Sequence, residues 1–593
     1  MPDVSTLTSY PSVDKPWMKY YSEEELNIPL PQMTLYQSIW QNNKAYLDDI
    51  AILYFGKKMT YRAMFAAVDQ CALALKRSGV KRGDCVNLCT VGTPETIILV
   101  LACNKLGVLA NFLNPLFTAE QMTARINDTG AHMLFVLDKV YGRVADALKD
   151  ACIEQVVAIP VYQSMPQPIK TLAALKKGDA RLANALKHDK SYRTWKDFLR
   201  LGEGAPAREY LELEAPYQKD TPAVMVYSSG TTGASKGIVL TNEGINATIA
   251  HSKNTSDKHK RGNTFLQMIP VWFSTGIVLS MMMPLTMGIT VIPEPVFSKE
   301  TFANDLAKYR PNMTLGATSL WRYAIHSPKL KNTDFSQMNF PMSGGEAIRK
   351  QDSEEIKQFL RDRGCTATFF VGYGMCELGS QVTSSTVAYE GKEGSAGIPI
   401  LHARVAAFDI KTNQEMKYGE RGEIRVDSPA RMLEYYKNPA ATEEYFYTDK
   451  EIVRWGRTGD IGYVDEDGDV FVLGRAADSY TADNGELVYN FDAEAAILRD
   501  DCVTTCKVLG VSSGGKTIPV AHIMLRDGVK DAFADVVKDL DRECRESLEE
   551  YAVPIAYKQR DAFPVHPNGK RDNQTLMQER DGFVTPRGEK FEF

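Results

Sequence analysis

The chain has 593 residues, of which 44% are hydrophobic and 24% charged, and it carries a net charge of −6 at neutral pH. That length is too great for one core, so two or more domains are expected. The acidic balance argues against a nucleic-acid binder, and no low-complexity tract or short-period repeat suggests a fibrous or solenoid protein.

The opening stretch MPDVSTLTSYPSVDKPW lacks a basic segment followed by an apolar one, so no secretory signal is expected. Residues 1–34 read as an N-terminal extension. From Tyr61 onward helix and strand patterns alternate. Phe65 to Ser78 is amphipathic at helical spacing, Cys85–Cys89 reads as a strand and Glu95 to Lys105 as the next helix. Further strands are expected at Met133–Val136, Gln155–Ile159, Ala223–Val226, Thr290–Ile292 and Thr366–Phe370. Such alternation predicts mainly parallel sheets with crossover helices, an α/β protein. The polar, lysine-rich stretch from Lys170 to Tyr217 reads as an exposed connection.

Asn263 to Pro293 carries no charge and is long enough to cross a bilayer. Its Pro270, Pro284 and scattered polar residues favour a loop, a helix and a strand in the core instead. Beyond Thr458 the pattern changes: Tyr463 to Leu473 reads as a hairpin with its turn at Asp465–Gly468, and a smaller α+β segment follows Arg475. The ten cysteines are scattered; Cys85/Cys89 and Cys502/Cys506 lack the CxxC and His partners of a zinc site. Reduced thiols in a cytoplasmic protein are expected. The final KFEF is no targeting or lipidation motif.

The most informative segment is Tyr227-Ser-Ser-Gly-Thr-Thr-Gly-Ala-Ser-Lys-Gly237, directly after the apolar run Ala223–Val226. Backbone N–H groups, hydroxyls and one cation converge there, which suits a polyphosphate. It is not a Walker A loop, because Lys236 lies between Ser235 and Gly237 rather than after Gly and before Ser or Thr. Five other stretches carry chemistry. Val371-Gly-Tyr-Gly-Met-Cys-Glu377 could stack an adenine on Tyr373 and offer Glu377 to Mg²⁺, or it could simply cap a helix after a strand. Ser343-Gly-Gly-Glu346 could shape an adenine pocket or be a plain turn. In Arg457-Thr-Gly-Asp460 a carboxylate on a tight turn is a natural acceptor for ribose hydroxyls, and Gly474-Arg475 could reach ribose or phosphate. Asn568-Gly-Lys570 sets a lysine after a proline-rich turn near the end of the chain.

Together with Ala110–Pro115 and Gly485–Glu494, these motifs resemble the adenylate-forming superfamily, in its acyl- and aryl-CoA synthetase branch, from about Leu35 to Leu576. The resemblance implies a large N-terminal domain (35–475) of parallel sheets with a small barrel-like part, and a mobile α+β domain (476–593). It implies ATP, Mg²⁺ and coenzyme A as reactants and cofactor, an acyl-adenylate intermediate, no nucleic acid and no transmembrane segment, with a homodimer open. ATP or AMP would be held by Ser228, Ser229, Gly230, Thr231, Thr232, Gly233 and Lys236. Gly344, Gly345, Glu346, Tyr373, Gly374, Cys376, Asp460 and Arg475 would complete that site. Lys570, Glu377 and Thr231 would be catalytic, with Glu377 at the metal. The acid pocket would use Trp272, Phe273, Gly276, Gly316, Gly344 and Gly372; the thiol would enter near Asn484 and Gly485; the hinge would be Ala477.

Four positions depart from the family pattern. Ser235 stands where proline is usual, Cys376 where threonine is, Ala477 where Asp or Lys is, and Phe273 where His is common. Ser274 replaces the Asp by which amino-acid-loading enzymes hold an ammonium group, so an uncharged, hydrophobic acid is expected. The neighbouring Met281–Met283 cluster also fits a broad apolar acid, although each methionine taken singly is read first as ordinary core packing. The alternatives are an enzyme that loads a separate carrier protein and a nucleotide-binding pseudoenzyme.

Overall fold

The computed structural model describes residues 8–175, 178–206, 209–210, 212–228, 235–254, 259–346, 348–526, 528–564 and 571–593. Residues 229–234 of the glycine-rich loop and Lys570 lie outside them. Two large sheets dominate. One has eight strands, and its centre runs parallel through Pro222–Tyr227, Leu109–Phe112, Cys85–Cys89, Met133–Leu137 and Gln155–Ile159. The other has nine, with Phe370–Tyr373, Phe340–Gly344, Met313–Gly316, Thr264–Gln267, Thr290–Pro293 and Ile50–Tyr54 as a parallel core. Their near-continuous apolar runs are what a sheet covered on both faces requires.

A single apolar cluster joins the two sheets, taking in Val86 and Leu88 from the first and Ile52, Phe265 and Val291 from the second. The helix Pro94–Leu106 belongs to it and is buried along its whole length, in keeping with its apolar character on every face. Thr93 caps that helix, its hydroxyl accepting from the Thr96 N–H. The helix Tyr61–Arg77 is amphipathic, as its spacing predicts, and packs on the buried one.

Two expectations need correction. The stretch 170–217 is more than an exposed connection: Tyr192–Thr194 is an edge strand of the eight-stranded sheet, and Trp195 and Phe198 of the following helix are buried. The density of lysines hid these two aromatic anchors. The strand expected at Thr366–Phe370 begins only at Phe370 and runs to Tyr373. The uncharged stretch 263–293 resolves into the strand Thr264–Gln267, a π-helix Thr275–Met282, the short helix Met283–Thr286 and the strand Thr290–Pro293. Among the described residues no helix is long and apolar enough to cross a membrane.

A third, five-stranded antiparallel sheet follows, built around Arg454–Val464, which pairs with Gly422–Asp427, Phe446–Thr448 and Val470–Arg475. The hairpin turn at Asp465–Gly468 is as predicted, closed by the Gly468 N–H on the Asp465 carbonyl at 3.0 Å. The smaller C-terminal part holds the strands Val503–Ser513, Lys516–Leu525 and Ala556–Gln559 over a core of its own. It meets the rest largely through polar contacts. Arg349 Nη1 donates to the Val503 and Thr504 carbonyls at 3.5 and 3.1 Å, and Arg421 pairs with Asp492 at 2.9 Å. Phe491 packs beneath Gly474.

Candidate functional site

A cavity of about 1510 Å³ opens where the three sheets meet. Tyr227 and Ser228 come from the end of one parallel strand, Gly344 and Gly372–Tyr373 from the ends of two more, and Glu423 and Arg457 from the antiparallel sheet. Ligand sites of open α/β sheets lie at such carboxyl ends.

The two described ends of the glycine-rich loop form a closed neck. The Ser228 N–H donates to the Lys236 carbonyl at 2.9 Å, and the Lys236 N–H returns to Ser228 Oγ at 3.0 Å. Ser235 Oγ donates to the Ser228 carbonyl at 2.8 Å. The expected contacts of Ser229, Gly230, Thr231, Thr232 and Gly233 fall outside the described residues. Lys236 Nζ lies 5.0 Å from the centre of the Tyr435 ring.

Tyr435 OH donates in turn to Glu377 Oε1 at 3.0 Å. Glu377 is 7% exposed. Burial pushes its carboxyl above the ordinary range, opposed by the Tyr435 hydrogen bond and by the charges of Arg475 and Lys236. Glu377 sits on a one-turn 3₁₀ helix, Cys376–Leu378, that ends at Gly379 with φ +73°. Cys376 also faces the cavity. Gly374 is held against the Ser380 carbonyl so closely that a Cβ would lie 1.7 Å from its oxygen.

Tyr373 OH donates to Asp460 Oδ2 at 2.5 Å, and Arg475 Nε meets Asp460 Oδ1 at 2.9 Å. Asp460 itself is buried, and burial raises its carboxyl against the lowering effect of Arg475 and Tyr373. Thr458, Gly459 and Arg475 form the cavity wall beside it. Each carboxylate oxygen keeps a lone pair beyond the one already used. Gly344, Gly345 and Glu346 line the same wall, and the Glu346 carboxylate accepts from the Ser319 N–H at 2.9 Å and the Ser319 hydroxyl at 3.0 Å.

Part of the cavity lining is apolar, with Ile269, Phe273, Leu279, Leu315 and Met342 on its walls. Of the residues expected in an acid pocket, Phe273, Gly344 and Gly372 line this cavity, and three others do not reach it. Trp272 packs against the main core beside Phe273. Gly276 lies under the Pro270 carbonyl, 2.1 Å from where a Cβ would be, and Gly316 is shut in by Phe302 and Trp321. In these turns the neighbours Thr275, Leu315 and Ala317 face the cavity instead. Met281, Met282 and Met283 are core residues, each at most 2% exposed.

Ala477 lines the cavity, and its neighbour Asp478 is tied to the C-terminal part by Lys507 and by Asn490 Nδ2 at 2.9 Å. Asn484 and Gly485 are not among the residues that line the cavity and lie on the turn between Ser479–Thr481 and Leu487–Tyr489. Sequence reasoning missed Tyr435 and Glu423. The only available sign of the first was an aromatic residue on the two-residue strand Glu434–Tyr435, which pairs with the strand that leaves the glycine-rich loop.

Comparison with known proteins agrees with this geometry. The profile described as AMP-binding enzyme matches residues 39–436, and that described as AMP-binding enzyme C-terminal domain matches residues 492–570. The chain is 26% identical to the long-chain-fatty-acid–CoA ligase of Bacillus subtilis (strain 168), over 95% of this chain and 98% of that one. It is 25% identical to the probable 4-coumarate–CoA ligase 1 of Dictyostelium discoideum, over 84% of this chain and 86% of the other. Among solved structures, the anthranilate CoA ligase AuaEII in complex with anthranoyl-AMP superposes with a TM-score of 0.75 at 19% identity, covering 93% of this chain and 98% of that one. ATP-bound MatB from Rhodopseudomonas palustris gives 0.75 at 21% identity, covering 92% and 99%. With the first profile spanning well over half of its length, the chain belongs to the AMP-binding enzyme family.

Proposed function

We propose that this chain is an AMP-forming acid–CoA ligase that activates a hydrophobic carboxylic acid with ATP and passes the acyl group to coenzyme A. One observation carries the reading: a single cavity joins a phosphate-type loop neck and the buried Glu377 to an uncharged apolar chamber. A charged polyphosphate and an apolar acid thereby meet end to end. The relatives named for long-chain fatty acids and 4-coumarate point to the same class of acid.

Carboxylate oxygen is a poor leaving group and AMP a good one, so activation precedes thiol attack. Lys236 and the loop amides hold phosphate oxygens, and Lys570 meets the charge that develops between carboxylate and α-phosphate. Asp460, fixed by Tyr373 and Arg475, accepts from the ribose hydroxyls. Among the described residues no three acidic, His or Cys side chains gather as a metal site. A buried carboxylate beside phosphates suits Mg²⁺, which binds through one or two carboxylates plus substrate oxygens. Glu377 would hold that ion, whose charge offsets the triphosphate. In the second half-reaction the residues after Ala477 turn, withdrawing Lys570 and bringing the Asn484–Gly485 turn to the thiol. The division into 35–475 and 476–593 belongs to this reading, as do a homodimer and a cytoplasmic location; the ten free cysteines support the last.

A panel of carboxylic acids assayed for AMP release with and without CoA tests the reading. Acid- and CoA-dependent AMP with a thioester product is expected. AMP without thioester would favour a carrier protein as acceptor, and no ATP–pyrophosphate exchange with any acid would overturn the assignment.

A further inference from the structure

The strands Gly422–Asp427 and Arg454–Val464 pair Arg425 with Arg457 and Glu423 with Ile461. One residue, Ile424, separates the first pair on its strand, whereas three, Thr458, Gly459 and Asp460, separate the second. The longer strand therefore bulges, with Gly459 at φ +69°, and the bulge aims Asp460 at Tyr373. A bulge leaves ladder N–H groups without strand partners, and such features cluster where a side chain must be re-aimed.

Side chains take up those groups here. Glu423 Oε1 accepts the Gly459 N–H at 3.3 Å, Thr458 Oγ1 accepts the Asp460 N–H at 3.0 Å, and Thr458 Oγ1 donates to the Ile424 carbonyl at 2.6 Å. Glu423 lines the cavity but is 6% exposed, so its charge needs a partner. Arg425 supplies it: Nε reaches Glu423 Oε2 at 2.8 Å, from a side chain with no exposure at all. Arg425 is fixed by Asn413 Oδ1 at 2.8 Å and by the rings of Phe408 and Tyr447, 4.8 and 5.0 Å from its guanidinium carbon. The Gly459 carbonyl accepts the Ala476 N–H at 2.8 Å, so the same peptide also anchors the start of the linker.

We propose that the buried Arg425–Glu423 pair is the positioning device of the nucleotide site: it holds the Thr458–Asp460 bulge in the conformation that presents Asp460 to the ribose. This rests on the ligase reading above. Neither residue need touch the reacting atoms; both act through Asp460.

The test compares Arg425→Met, Arg425→Lys and Asp460→Asn, alone and with Arg425→Met and Asp460→Asn combined. The assay is acid-dependent ATP–pyrophosphate exchange with ATP and with 2′,3′-dideoxy-ATP. Arg425→Met is expected to raise KM for ATP by about tenfold, leave KM for the acid within about twofold, and shrink the preference for ATP over the dideoxy nucleotide. Arg425→Lys should recover part of that preference, and it keeps the test alive if the Met variant does not fold. In the Asp460→Asn background Arg425→Met should add little, since the two act on one contact. Losses that multiply, or a nucleotide preference unchanged in Arg425→Lys and Arg425→Met, would overturn the proposal. An unmutated enzyme without any acid-dependent exchange would overturn the ligase reading itself.

Discussion

Ser235 ties itself to Ser228 across the neck of the glycine-rich loop, its hydroxyl 2.8 Å from the Ser228 carbonyl oxygen. Proline, usual at this position in the family that the sequence resembles, has no hydroxyl to give. Where proline would stiffen the chain through its ring, serine restrains it with a hydrogen bond. A net hydrogen bond is worth about 1 kcal/mol, so Ser235→Ala should raise KM for ATP about fivefold with kcat little changed. Steady-state kinetics with ATP as the varied substrate checks this; an equal fall in kcat would point to a role in the chemical step.

Tyr435 lowers the carboxyl of Glu377 by donating to it, against the larger upward push of burial. Tyr435→Phe removes the donor and should move that carboxyl further up. Protonation of Glu377 would then begin at higher pH, so the acid limb of kcat/KM should shift toward neutrality. A pH profile of pyrophosphate exchange in both proteins measures the shift, and a limb that stays put would detach Tyr435 from Glu377.

Lys570→Ala should cut adenylation by roughly a hundredfold or more, the scale of losing one charge-stabilising donor. Thioester formation from preformed acyl-adenylate should fall far less. Single-turnover assays of the two half-reactions separate them, and equal losses would remove the lysine from its assigned place.

Gly374 and Gly345 should respond differently to alanine. At Gly374 the new Cβ would stand 1.7 Å from the Ser380 carbonyl oxygen, so the backbone below Glu377 must move, at a cost above about 3 kcal/mol. At Gly345 nothing lies within 4 Å, and only the φ of +81° resists, for about 1 kcal/mol. Urea unfolding of the two variants gives the contrast.

His251 is buried, with neither ring nitrogen partnered among the described residues, and burial lowers it to about 3, helped by His402. An unfolded histidine protonates near 6.5, so below that pH the unfolded chain takes up a proton that the folded one refuses. Stability due to the neutral ring is complete above about pH 6.5 and is lost as the pH falls, by about 2 kcal/mol at pH 5. His251→Leu should flatten the fall in Tm between pH 7.5 and 5, and an unchanged slope would show that the ring is not the source.

Much of the fold was legible because its signals are local. Apolar runs such as Gln155–Ile159 announce strands covered on both faces, and 3.6-residue spacing announces the helix Tyr61–Arg77. The residues brought together around the cavity were legible for a similar reason: Ser228, Lys236, Tyr373 and Glu377 sit in short motifs at or just after strand ends, and Asp460 in a glycine-containing motif that the structure makes a strand bulge. The apolar part of the cavity was not. Whether Gly276 or Thr275, Gly316 or Leu315, faces the cavity depends on the rotation of one turn against the Pro270 carbonyl or the Phe302 ring, which no single-residue pattern encodes. Tyr435 and Glu423 escaped because they reach their partners only across strand pairings, with Glu377 58 residues away and Gly459 36 residues away in the chain.

The C-terminal part is fastened to the rest largely by hydrogen-bonding side chains, with Arg349 gripping the Val503 and Thr504 carbonyls and Arg421 facing Asp492. Water can take over each of those bonds when they open, and such exchanges cost far less than stripping one oily face from another. An attachment of this kind is open to release, and salt should loosen its Arg421–Asp492 contact while leaving the cores on either side intact.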